Sequence, residues 1–283
     1  MNRHDEHCSE VVRDLDRDRF LATLFAPKEK RYALFALYAF NIEISRVRDL
    51  AREPLPAEMR LQWWSEVLSG ERDADAAGNP VAAALRDAAV RFNMPIAPFM
   101  ELIDAHRFGV YDEPMRSLEA LDSYAAKTSG TIFHMAEWIL QEGAERERSR
   151  CAIEAGQAEA IAFILANLGR HAARHQLYVP MELLRRHRVQ VNSIWELRST
   201  SELRSALAEL RVRAVRHLSE LASRGASANQ AIWPAFLSLA PLRPWLRSQE
   251  GADYDLFRPP EMSPFWRQWR IWQAARSFGR IDR

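Results

Sequence analysis

Lysine is nearly missing from this chain: Lys28, Lys30 and Lys127 are the only three among 39 basic residues, and the rest are arginine. Base composition of the coding DNA explains such a bias, and so does a need for guanidinium forks that grip carboxylates or phosphates. Acidic residues number 38, so the basic surplus expected of a nucleic-acid binder is absent. Two cysteines, Cys8 and Cys151, cannot build a disulfide framework or a zinc knuckle. Ten glycines are too few and too scattered for a turn-rich β fold or a phosphate-cradling loop. No run of 18 apolar residues is present, so no membrane-spanning helix is expected. The opening MNRHDEHCSE lacks the apolar stretch of a secretory signal. These absences lead us to expect a cytoplasmic protein, with contact to the surface of the inner membrane left open.

What is present is helical periodicity over enough apolar residues, 48%, for a sizeable core. Lys28 to Leu50 is apolar around almost its whole circumference, which marks a buried helix. Pro54 and Pro56 block its continuation. Further helices are expected over Ala57–Ser69, Val81–Phe92, Pro95–Phe108, Ser117–Gln141, Arg146–Arg174, Met181–His187 and Thr200–Arg224. The tail from Ile232 to Phe278 reads as two helices joined by an aromatic-anchored loop around Asp253 to Pro264. Strand alternation, repeats and linkers are lacking. We therefore read 1–283 as one all-α domain, with 1–18 as a frayed terminus that includes His4 and His7.

Four stretches stand in an informative order: ALYAFNIEISRVRDL at Ala36 to Leu50, MRLQWWSEVLSG at Met59 to Gly70, ELIDAHRFGVYD at Glu101 to Asp112 with LDSYAAKTSGTI at Leu121 to Ile132, and NLGRHAARHQLYVP at Asn167 to Pro180. Together they resemble the squalene/phytoene synthase family of head-to-head prenyl transferases through about residue 190. The resemblance implies an isoprenoid-synthase-like (terpenoid synthase) helical bundle with a central cavity. It also implies paired aspartates, four residues apart on two facing helices, that hold Mg²⁺ on diphosphates. Here the pattern departs. Ser45 and Arg46 stand in the first motif, where only Asp49 stays acidic. Asn167 and His171 replace the second pair, with Arg170 between them, and Gly109 stands where a further acid is frequent. With three carboxylates gone and arginines added, a Mg²⁺ cluster is not expected, and no cofactor is assigned. If His171 is protonated it adds to the repulsion.

The aspartate-depleted pattern most resembles a branch that includes a mitochondrial respiratory complex I assembly factor. That implies a pseudo-enzyme assisting assembly of respiratory complex subunits and holding an isoprenoid or phospholipid phosphate. Its cavity mouth would be lined by Arg46, Asp49, Asn167, Arg170 and His171, with Tyr38, Arg174, Tyr178, Ser129 and Gly130 as further ligand or cavity candidates. The alternatives are an active prenyl transferase using Mg²⁺ with altered ligands, and an interaction scaffold with a filled interior. Several side chains also have plainer readings. Asp49 is expected to pair with Arg46 or Arg52. His171 and His175 lack the glutamate of a zinc-protease signature and are read as polar lining. Trp63 and Trp64 point about 100° apart, so at least one belongs to the core. Phe133, Ala136, Ile139 and Leu140 form a core stripe. Trp266, Trp269 and Trp272 are expected to close the core rather than touch a membrane. Gly130 either walls the cavity or permits a close helix crossing.

Overall fold

A computed structural model of the chain describes residues 3–51, 53–143, 148–225, 229–251 and 254–276. Every regular element among them is helical. The centre is built from three helices that are apolar all round: α3 (Lys28–Ser45), α10 (Ser129–Leu140) and α11 (Arg150–Ala166). Burying all faces of a helix is what such a pattern demands. α1 (Arg3–Leu15) and α7 (Pro80–Arg91) cover α3, and α15 (Ser201–Gly225) covers α11. α5 (Pro54–Ser69) packs on α8 (Ala97–Val110), and α9 (Leu118–Lys127) packs on α10 and α11. Phe133, Ala136, Ile139 and Leu140 are all buried, as is Trp64, while Trp63 packs at the edge of the core.

Local chemistry sets the helix ends. Asn79 accepts hydrogen bonds from the Val81 and Ala82 amides and Pro80 fills the first turn of α7. Ser117 and Ser149 cap α9 and α11 in the same way. Gly70, at φ +86°, ends α5 in the left-handed conformation. The preceding helical segment ends at Leu50, before Pro54 as expected, and Pro54 also opens α5, three residues earlier than Ala57, because proline at the first position forfeits no hydrogen bond.

Three helices expected to be continuous are broken. Lys28–Leu50 breaks at Arg46 into α3 and α4 (Val47–Leu50). Ser117–Gln141 breaks at Thr128, whose φ and ψ of −97° and −96° lie far from helical values. The helix expected from Arg146, itself outside the described residues, begins at Arg150 and breaks at Asn167, before α12 (Leu168–Ala173). All three break residues line one cavity. Just past the Thr128 break, Gly130 meets Gly156 of α11 so closely that a Cβ on Gly156 would lie 2.5 Å from the Gly130 backbone. Gly130 thus permits a close crossing and does not line the cavity, whereas its neighbour Ser129 does.

The N-terminus corrects the expectation of fraying. α1 buries Asp5, Cys8 and Val12, and α2 (Arg17–Thr23) buries Asp18, Arg19, Ala22 and Thr23. Its charged appearance hid a narrow apolar stripe and buried ion pairs. In the tail, short 3-10 turns over 230–239 precede α16 (Leu242–Arg247) and α17 (Pro264–Arg276). The loop between them is anchored by aromatics: Trp245 Nε1 donates to Pro260 O at 3.0 Å, and Phe257 is buried with its carbonyl against Gly169. Asp253 and Phe278 lie outside the described residues.

Candidate functional site

The broken ends of α3, α9 and α11 surround a cavity of about 1210 Å³, closed on further sides by α2, α8 and the 257–262 loop. A single water occupies about 30 Å³. The interior is therefore not filled. Ser45, Arg46, Asp49, Ser129, Asn167, Arg170, His171, Arg174 and Tyr178 all line this cavity. Of the other sequence-selected residues, Gly130 serves the helix crossing, and Tyr38 is buried behind Arg19, whose guanidinium lies 5.2 Å from its ring centre.

Asp49 is the acid that survives from the first motif, and it is ion-paired, with partners other than Arg46. Arg52 lies outside the described residues. Arg170 donates to Asp49 Oδ2 at 3.1 Å and Arg174 donates to Oδ1. One carboxylate thus joins α4 to the end of α12, and two guanidiniums neutralise it. Arg46 lines the same cavity half-buried and has no ion-pair partner among the described residues. Asn167 folds back and donates to Phe163 O at 2.8 Å, so its amide caps a backbone rather than reaching across.

His171 does not carry the charge that would add to the repulsion. Burial, then Arg170 and Arg174, push its pKa down from 6.5 to about 4, so it is neutral at pH 7. Its ring packs on Tyr178 at 4.6 Å between centres, and its Nδ1 has no hydrogen-bond partner among the described residues. Burial likewise pushes the Tyr178 hydroxyl up to about 12. That hydroxyl occupies the place of a side chain at Gly109, since a Cβ there would collide with it. Asp112, the next acid, just past the end of α8, faces elsewhere: Arg48 donates to it at 2.7 Å and Gln176 at 2.9 Å. His175 is exposed at φ +56° beside Trp195, beyond the end of α12, so it does not share a helix face with His171.

The other end of the cavity holds a charged group that the sequence reading missed. Arg19 donates to both oxygens of Glu159, at 2.9 and 2.7 Å, and to Asp16 at 3.1 Å. Asp18 accepts from Arg267 of α17. Burial raises the pKa of Glu159 and of Asp18 against the pull of their arginines. Arg19 and Glu159 are 140 residues apart, and no local spacing could have joined them.

These donors do not fit a Mg²⁺ cluster. Mg²⁺ demands several hard oxygen ligands at fixed geometry. Of the motif positions only Asp49 is a carboxylate, already held by two arginines, and among the described residues no three His, Cys, Asp or Glu side chains form a metal-binding group. A divalent ion near Arg46 and Arg170 would meet about 4 kcal/mol of repulsion per unit charge product at close range. What the site can do is offer guanidinium hydrogen bonds to an anion beside a cavity of mixed apolar and polar lining.

Residues 12–270 match the family described as squalene/phytoene synthase. The complex I assembly factor 6 of Bos taurus is 27% identical over 90% of this chain and 76% of its own length, and that of Homo sapiens is 26% identical over the same shares. The 15-cis-phytoene synthase of Synechococcus elongatus is 26% identical over 93% of this chain and 89% of its own. A dehydrosqualene synthase crystal structure superimposes with a TM-score of 0.81 at 18% identity, covering 97% of this chain and 96% of that one. Squalene synthase HpnC from Alicyclobacillus acidocaldarius gives 0.73 at 22%, covering 86% and 92%. Identities of 26 and 27% do not separate assembly factors from synthases, so the side chains of the cavity must.

Proposed function

Because the chain belongs to the squalene/phytoene synthase family, we propose that it is a member that has given up prenyl transfer and assists assembly of respiratory complex I. In this reading its cavity holds an isoprenoid or phospholipid phosphate without Mg²⁺. Arg46, Arg170 and Arg174 grip the anion, and the apolar walls receive the tail. Respiratory complex subunits are its partners. The observation that carries the reading is the Arg170–Asp49–Arg174 bridge, which puts two guanidiniums across the gap where the family's motif implies metal. The likeness to complex I assembly factor 6 over 90% of the chain supports the assembly role.

Three observations favour a second reading, an active head-to-head prenyl transferase. The cavity is open, the fourth stretch keeps its Tyr178-Val179-Pro180 end, and a phytoene synthase matches over nearly the whole chain. Calorimetry with farnesyl diphosphate, with and without Mg²⁺, separates the two. Binding that ignores Mg²⁺ supports the metal-free site. Binding only with Mg²⁺, or turnover of the diphosphate, overturns it in favour of the enzyme. An absence of any binding removes the ligand from the proposal and leaves a scaffold acting through its partners.

A further inference from the structure

Helix α17 turns its aromatic residues outward. On it only Ile271 and Ala274 are buried, whereas Phe265 is 75% exposed, Trp266 50%, Trp269 39% and Trp272 47%. This reverses the expectation that these tryptophans close the core. At about 100° per residue, Phe265, Trp269, Trp272 and Arg276 fall within one sector of roughly 60° on the face opposite Ala274. Trp266 flanks that sector, edge-on to Trp269 at 5.1 Å between ring centres. Across a groove of about 490 Å³ stand Leu21, Leu24 and Phe25 at the end of α2, the latter two over 40% exposed. A contiguous apolar face of this kind marks an interaction surface.

Charge selects the occupant. α17 carries Arg267, Arg270 and Arg276 and no acid. Arg276 lies over the Trp272 ring at 4.5 Å, and Arg247 stands near enough to Arg270 to lower its pKa further than burial alone does. Trp and Phe mixed with arginine, without a carboxylate, is the composition that settles at the headgroup level of an anionic bilayer. No helix of the described residues is long and apolar enough to cross one, so the contact is superficial. The opposite side of the same helix sends Arg267 into the large cavity, where it pairs with Asp18. The aromatic face is therefore the outer side of a helix whose inner side reaches the Arg19–Glu159 end of the cavity.

We infer that this face docks the chain on the surface of an anionic lipid bilayer, with Phe265, Trp269 and Trp272 entering the headgroup region and Arg276 meeting lipid phosphates. The inference rests on this face alone and is independent of the function proposed above. The test is co-sedimentation of the whole chain with vesicles of phosphatidylcholine, pure or mixed with phosphatidylglycerol, read together with tryptophan emission. Binding to the mixed vesicles with a blue shift is expected, weakening with salt. Trp269→Glu is expected to reduce partitioning at least about tenfold, and Arg276→Gln about fivefold, with circular dichroism unchanged in both. Equal binding by folded Trp269→Glu overturns the inference. So does failure to bind the mixed vesicles, and so does a concentration-dependent dimer that Trp269→Glu dissolves without any vesicle binding.

Discussion

Replacing Asp49 by alanine moves anion affinity in opposite directions for a metal site and for a guanidinium site. In a metal site the carboxylate holds the ion that holds the ligand, and its loss weakens binding. Here Asp49 occupies Arg170 and Arg174, and both pairs must open before the arginines can turn to a phosphate. At 4 Å and an effective dielectric of about 20, each pair would be worth about 4 kcal/mol. The side chains are 22 to 42% exposed, however, and pairs in that setting contribute about 0–1 kcal/mol. The smaller figure governs. Removing both gains up to about 2 kcal/mol, or up to about 30-fold in affinity. Calorimetric titration of inorganic pyrophosphate and of farnesyl diphosphate in chelator reads this directly, with Asp49→Asn separating lost charge from added space. Unchanged or weaker binding by Asp49→Ala would refute the reasoning.

Three further outcomes follow from the packing and the charges. Gly156→Ala is expected to lose about 1–3 kcal/mol or more in urea denaturation, because its Cβ would press on the Gly130 backbone. Gly78→Ala, with nothing within 4 Å, is expected to stay neutral. Gly109→Ala is expected to destabilise through Tyr178 Oη, and adding Tyr178→Phe is expected to recover most of the loss in a double-mutant cycle. The depressed pKa of His171 means that the unfolded chain takes up a proton near pH 6.5 while the folded chain resists until about 4. Stability present above pH 6.5 is thus lost as pH falls through that window, by about 3 kcal/mol. His171→Gln is expected to flatten this part of the pH–stability curve.

The helical class and the residues around the cavity were legible because both leave local marks. Apolar residues around the whole of Lys28 to Ser45 announce a buried helix, and motif positions carry Ser45, Arg46, Asp49, Asn167, Arg170 and His171 to one place. Helix breaks were less legible. Arg46, Thr128 and Asn167 are ordinary helix residues whose geometry is decided by the elements around them. Long-range pairs were not legible at all. Arg19 with Glu159, Asp18 with Arg267, and Asp49 with the α12 arginines join segments that no spacing rule connects. The tryptophans of α17 misled for a physical reason: a three-residue aromatic repeat defines a face, but says nothing about whether protein or another phase covers it.

The Asp49 bridge also changes what the surroundings can do to the molecule. A divalent ion tying two helices makes their closure depend on ion supply and vulnerable to chelators. Two guanidiniums on a carboxylate tie α4 to the end of α12 with parts the chain itself encodes. Such a tie is indifferent to magnesium but loosens as ionic strength rises, since partly exposed pairs are screened over a Debye length of about 8 Å at physiological salt. On the reading proposed above, the tie at the cavity mouth answers to ionic strength and not to magnesium supply.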